Sequence, residues 1–184
     1  MKEFPKDFKK EEGVWVPREG ADNIAYSDGK AAETYIRESI EKANDISSTS
    51  SELQAASRNW SSRYHFSPNR GNLFRALSLR PGINILELGS GCGAITRPLG
   101  EHDVHVTAVE GSHDRAHITS LRCRDLENVE VVSGNFDDLS FDKRFDMVTL
   151  IGVLEYSHLF CRGEDDPFST VLKSAWDALE DDGV

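Results

Sequence analysis

The run Ile83-Asn84-Ile85-Leu86-Glu87-Leu88 passes without a break into Gly89-Ser90-Gly91-Cys92-Gly93-Ala94 and on into Ile95-Thr96-Arg97. A short apolar run makes a strand, alternate glycines let the backbone turn sharply toward a ligand, and a following helix presents unpaired N–H groups to it. The rest of the C-terminal half repeats the strand signal at Val104–Val109, Val129–Val132 and Phe145–Ile151. Each strand is followed by a segment long enough for a helix or crossover, which predicts a parallel sheet with right-handed connections. Helices are expected over 94–101, from Ser112 to Arg124 and from Pro167 to Glu180, the last with Phe168, Val171, Leu172, Ala175 and Leu179 on one face. Pro98 falls inside the first of these and is expected to kink it.

Residues 1–80 have a different texture. The first 28 or so mix Pro5, Gly13, Pro17 and Gly20 with charges, so they are expected to form an irregular arm pinned by Trp15. Ala32, Ile36, Ile40 and Ala43 recur at helical spacing, Ser47 to Ser51 interrupt, and Leu53, Ala56, Trp60 and Tyr64 mark a second helix. Ser67-Pro68 is an N-cap followed by an N1 proline, opening a third helix that runs to about Leu79. The chain thus divides into an arm with a helical segment over 1–80 and an α/β half over 81–184.

Composition narrows the function. Twenty-one Lys and Arg against 32 Asp and Glu leave a net charge of −11, which argues against a grip on nucleic acid. Cys92, Cys123 and Cys161 show no C-x-x-C spacing, and the histidines at 102, 105, 113, 117 and 158 show no ligand pattern, so neither a metal site nor a disulfide framework is expected. No apolar run nears the ~18 residues a membrane helix needs, and a reducing cytoplasm suits the cysteines best.

The glycine loop therefore calls for a small ligand. Glu110 ends the second strand nineteen residues after Gly91, where a carboxylate can accept from both hydroxyls of a ribose. Gly89-x-Gly91-x-x-Ala94 satisfies the dinucleotide pattern, which leaves an NAD-dependent oxidoreductase open. The fuller pattern Glu87-x-Gly89-x-Gly91-x-Gly93 resembles motif I of the class I S-adenosylmethionine-dependent methyltransferases, and an acid there suits a positively charged cofactor without phosphate.

That resemblance, covering about Asn84 to the C-terminus, implies a Rossmann-like parallel sheet with helices on both faces and S-adenosylmethionine as cofactor. Carried over residue by residue, it implies that Glu87, Gly89, Gly91 and Gly93 serve the methionine part and Glu110-Gly111 the ribose. Asn135 and Phe136 would serve the adenine, with Asn135 standing where the family commonly has Asp. Glu155 and Tyr156, after the fourth strand, are the candidate catalytic residues, while Tyr64 and His65 fall in a segment that often lids such sites. The stretch from Trp60 to Leu73 resembles a subgroup fused to glycosyltransferases. The family sheet has seven strands, whereas this chain ends at Leu179-Glu180-Asp181-Asp182-Gly183-Val184, so the resemblance implies a fragment truncated after strand four, with that strand an exposed edge. A small-molecule or saccharide acceptor is expected, and a non-catalytic cofactor-binding module of a larger polypeptide remains an alternative.

Overall fold

In the computed structural model the described residues are 1–20, 27–135, 138–161 and 165–184. Strands numbered in chain order are β1 (Lys2–Phe4), β2 (Phe8–Glu11), β3 (Val14–Pro17), β4 (Asn84–Leu88), β5 (His105–Glu110), β6 (Val129–Ser133), β7 (Leu139–Phe141) and β8 (Met147–Thr149). The main sheet runs β2-β3-β6-β5-β4-β8, and every neighbouring pair is parallel except the β2–β3 hairpin. The side chains of β4 alternate between the two faces, Ile85 entering one apolar cluster and Leu86 and Leu88 another, so the sheet is covered on both sides.

The N-terminal arm is ordered strand, not irregular chain. Glu12 and Gly13 both have positive φ (47° and 83°), the two-residue turn whose twist matches a hairpin. Val14 and Val16 then face inward against Val131 and Ala116, while Phe4 meets Phe8 and Trp15 edge to face, with ring centroids 5.5 Å apart in both pairs. This hairpin adds two strands beyond β6, so the sheet does not stop at four. β1 leaves it to pair with β7.

The other edge also differs from expectation. The outer side of β8 is met by the chain's last residues: Val184 N–H donates to Asp146 O (3.0 Å), Val148 N–H donates to Val184 O (2.8 Å), and Glu180 N–H donates to Phe145 O (2.9 Å). Those bonds occupy backbone groups that an exposed edge would leave unpaired.

Helix α1 (Lys30–Lys42) buries Ile36 and Ile40 as its spacing predicts. The second expected helix is two, α2 (Ser51–Ala55) and α3 (Trp60–Phe66), because Asn59 and Ser62 form a capping box that starts α3 afresh. After Ser67 a 3₁₀ helix spans Pro68–Leu73, shorter than expected. Helix α4 (Thr96–Gly100) begins late enough that Pro98 lies in its first turn, where no backbone donor is needed, so proline is tolerated there. Then come α5 (His113–Arg122), α6 (Ser157–Phe160) and α7 (Pro167–Asp177). On α7 the inward stripe is narrower than the sequence suggested: Val171 and Ala175 are buried, but Phe168 and Leu172 remain 49% and 40% exposed.

Phe8 has no exposed surface, so Phe8→Ala is expected to cost about 3–5 kcal/mol. Urea denaturation measures it, and a loss within about 0.5 kcal/mol would mean that the hairpin does not pack on the sheet.

Candidate functional site

Three glycines after β4 hold positive φ: 83° at Gly89, 60° at Gly91 and 79° at Gly93. The loop is fastened from two sides. Gly89 and Ser90 N–H groups donate to Val109 O at the end of β5 (2.8 and 3.0 Å), and Thr119 Oγ1 of α5 donates to Gly91 O (2.9 Å). A Cβ at Gly89 would stand 2.4 Å from Val153 Cγ2, so the turn closes only without a side chain. At Gly93 a Cβ would press on Thr119 and Arg122 at 3.3 Å, so this glycine admits α5 instead of facing a ligand.

Glu110 reaches across from β5. Its carboxylate accepts from Gly91 N–H (2.7 Å) and Ser112 N–H (3.0 Å), joining loop to helix. Burial raises it above the ordinary carboxylate range, against the pull of Arg115 and those two donors. Arg115 sits beside it, with Nε 4.0 Å from Glu110 and Nη1 3.4 Å from both Asp28 and Glu33. Burial works against the Arg115 charge, yet the three acids beside it, Glu110, Asp28 and Glu33, hold it above the usual guanidinium range. Asp28 in turn lies 3.1 Å from Nε2 of His65; that contact, with help from Arg115, keeps Asp28 low, while burial pushes His65 down. The N-terminal segment is thereby tied to the glycine loop through charge. Cys92 within the loop is buried and its thiol is pushed well up, so it acts as a small apolar filler.

These parts surround a cavity of about 340 Å³. Gly89, Ser90 and Gly91 line one side, and Gly152, Glu155 and Tyr156 after β8 line another. Trp60, Tyr64, His65 and Arg70 close it from the helical segment, with Asp28 and Arg115 at the back. A larger cavity of about 480 Å³ lies against α7 with Leu86, Leu88, Phe141 and Ala178, and neither the loop glycines nor Glu110 or Arg115 line it. Among the residues expected from sequence, Gly89, Gly91, Glu155 and Tyr156 come together at the 340 Å³ cavity. Glu87, Gly93, Glu110, Gly111 and Asn135 do not line it: Gly93 faces α5, and the Glu110 carboxylate is engaged by Gly91 N–H and Ser112 N–H beside Arg115. Phe136 lies outside the described residues. Asp28 and Arg115 went unread in the sequence. The available signal was Arg115 at the inward positions 115, 119 and 122 of α5, where an arginine needs acids to meet it.

The comparisons with known proteins fit this geometry. A methyltransferase-domain family matches residues 86–184, more than half of the chain. The chain belongs to that methyltransferase family. A cypemycin N-terminal methyltransferase from a Streptomyces species is 39% identical over 87 residues, covering 46% of this chain and 35% of that protein. An uncharacterized methyltransferase of Staphylococcus carnosus is 29% identical over 115 residues, covering 62% and 51%. The chain thus spans about half or less of the length of these curated relatives. Among solved structures, a methyltransferase from Streptomyces caelestis superposes with TM-score 0.51 at 27% identity, covering 62% of this chain and 46% of that one. A Geobacter sulfurreducens methyltransferase in complex with S-adenosyl-L-homocysteine superposes equally well (0.51) at 18% identity, covering 82% and 52%, and shares the fold. The fusion to glycosyltransferases implied by Trp60 to Leu73 finds no support among these relatives. Among the described residues of this methyltransferase-family chain, no helix is long and apolar enough to cross a membrane, and no cluster of His, Cys, Asp or Glu could hold a metal.

Glu87 makes one feature of this site measurable. It is buried, its Oε2 has no hydrogen-bond partner, and burial pushes it up from 4.5 to about 7, with Glu110 adding to the shift and Thr96 opposing it. Between those values the folded chain keeps a proton that the unfolded chain has released, so this group's contribution to stability falls as pH rises through that window. Glu87→Gln removes the slope. From pH 5 to pH 8 the variant should gain up to about 3 kcal/mol relative to the parent, measured by urea denaturation at both pH values; an equal difference at both would show that Glu87 ionises normally.

Proposed function

We propose that the chain binds S-adenosylmethionine across the glycine loop and directs its methyl group to a small acceptor in the 340 Å³ cavity. The observation that carries this reading is the union of Gly91 and Glu110: a positive-φ glycine at the cavity wall, bonded to the carboxylate that ends the neighbouring strand. The residues fit the cofactor. A Cβ at Gly91 would fall 2.9 Å from Arg115 Nη2, so only glycine lets that guanidinium close against the loop at the cavity wall. Glu110 retains lone pairs beyond its two N–H donors and can take ribose hydroxyls, with Gly111 beside it. Gly89 and Gly91 border the methionine portion, Gly93 keeps α5 close behind, and Asn135, with Phe136 next to it in sequence, serves the adenine. Glu87, two residues before the loop, contributes negative potential there, not contact.

The bound cofactor supplies a methyl group already activated by its sulfonium charge. What remains for the protein is alignment of the acceptor and, where the acceptor must lose a proton early, a base. Glu155 and Tyr156 border the cavity opposite the helical segment, and Glu155 is exposed and suited to receive that proton. The acceptor is a small molecule, a saccharide or a short peptide, the last because one relative is named for an N-terminal methylation. A pyrophosphate-bearing dinucleotide is disfavoured at the glycine loop itself, since the Glu110 carboxylate already takes the Gly91 and Ser112 N–H groups that would meet a phosphate there. Because the chain spans only part of its relatives, the activity of the whole protein belongs to this proposal, and a non-catalytic cofactor-binding module is its alternative.

S-adenosylhomocysteine binding by calorimetry, with NADH as comparator, tests the reading. Saturable binding of the first and not the second is expected, and Glu110→Ala should weaken it by roughly 1.5–3 kcal/mol through loss of charge-assisted bonds to the ribose. A folded variant with an unchanged Kd would remove Glu110 from the site. Binding of NADH alone would overturn the cofactor assignment.

A further inference from the structure

Of the buried arginines, Arg97 pairs with Glu101 and Asp125, and Arg115 with Asp28, Glu33 and Glu110, while Arg122 meets no described carboxylate and donates to Ser47 O instead. Arg70 stands at a cavity wall. Its Nε is buried without a hydrogen-bond partner, its guanidinium carbon lies 3.4 Å over the Tyr64 ring, and no described carboxylate pairs with it. Burial alone shifts it, downward, with no acid opposing. Arg70 is only partly buried, but a guanidinium that pairs with no described carboxylate at a cavity wall has donors to offer an anionic ligand.

Its position says what the missing anion belongs to. Arg70, Tyr64 and Trp60 border the 340 Å³ cavity and also a groove of about 280 Å³ outside it, whose other walls include Arg63, Ser67 and Asn69. The groove therefore carries two cations, two small polar side chains and two rings. Trp60 is 72% exposed and stands 5.4 Å from Tyr64 between ring centroids, a flat surface open to solvent. At the inner end, a Cβ on Gly152 would be 3.6 Å from Tyr64 Oη and 3.9 Å from Glu155 Oε1, so the groove leads to the candidate base.

We propose that Arg70, with Trp60 and Tyr64, forms the anion-recognition end of the acceptor site and selects acceptors that carry a carboxylate or phosphate on a flat, mostly apolar body. The guanidinium supplies paired donors for either group, and the rings supply stacking area. This rests on the cofactor reading above only in assigning the anion to the acceptor. The cofactor also has a carboxylate, but Arg70 lines as well the groove shared with Arg63 and Asn69, to which the glycine loop contributes no wall.

The test uses the full chain and three probes, phenyl phosphate, benzoate and benzamide, titrated by ligand-observed NMR with and without saturating S-adenosylhomocysteine. The two anions are expected to bind at least about tenfold tighter than benzamide, and Arg70→Met should reduce them to the benzamide level. S-adenosylhomocysteine should bind that variant within about twofold of the parent. Arg70→Lys keeps the charge and is expected to retain part of the anion preference, which guards against a misfolded Met variant. No preference for anions in the parent chain overturns the proposal. So does an Arg70→Met variant that loses S-adenosylhomocysteine as strongly as phenyl phosphate, because Arg70 then serves the cofactor carboxylate. If S-adenosylhomocysteine fails to bind the parent, the cofactor reading falls, and the titration without it still decides whether the groove holds anions.

Discussion

A single buried carboxylate joins the parts of this protein that matter for its site. Glu110 accepts from the backbone of Gly91 on one side and of Ser112 on the other, so the loop after β4 and the start of α5 share one anchor. Leaving such a carboxylate buried is tolerable only because two N–H groups and Arg115 meet it. Arg115 then has charge to spare, which it directs to Asp28 and Glu33, and Asp28 holds His65. The helical segment over the cavity is thus held by this polar chain, which begins at a strand end, together with apolar packing of Ile36, Ile40, Leu53 and Phe66 against Cys92 and Ile118.

Much of the α/β half was legible in the sequence because its cues are local. Four apolar runs, separated by crossover-length segments, determine parallel strands, and the glycines at 89, 91 and 93 adopt the positive φ that only glycine takes easily. The N-terminal hairpin was not legible. In β2 only Phe8 is buried while Lys9, Lys10 and Glu11 are exposed, so no alternation marks a strand, and Glu12-Gly13 is not among the strongest hairpin dipeptides. The break between α2 and α3 was hidden for a different reason. Ala56 and Trp60 keep helical spacing across it, and the Asn59 capping box outcompetes that pattern.

The site was half readable on similar grounds. Gly89, Gly91, Glu155 and Tyr156 announce themselves by following strands, and they do line the cavity. Asp28 and Arg115 carry no motif; their significance comes from a tertiary contact between segments far apart in sequence. Gly93 shows how one pattern can mix two causes, since it satisfies the glycine motif while its physical task is to let α5 approach. The charges sort in the same way: Arg97 and Arg115 are met by acids, Arg122 by the Ser47 carbonyl, and Arg70 faces a cavity.

The hairpin has a consequence for how the chain acquires its shape. Val14 pairs with Val131, Trp15 with Val132, and the Lys2 ammonium bonds Asp138 across 136 residues of sequence. The β2–β3 hairpin can therefore close by itself, but it has no sheet to join until β6 has been made. Contacts of such wide separation slow closure and leave apolar faces waiting, here those of Val14, Val16 and Phe8. Vectorial synthesis would let β4 and β5 pair early, with the N-terminus arriving as the piece that shuts the β6 side of the sheet.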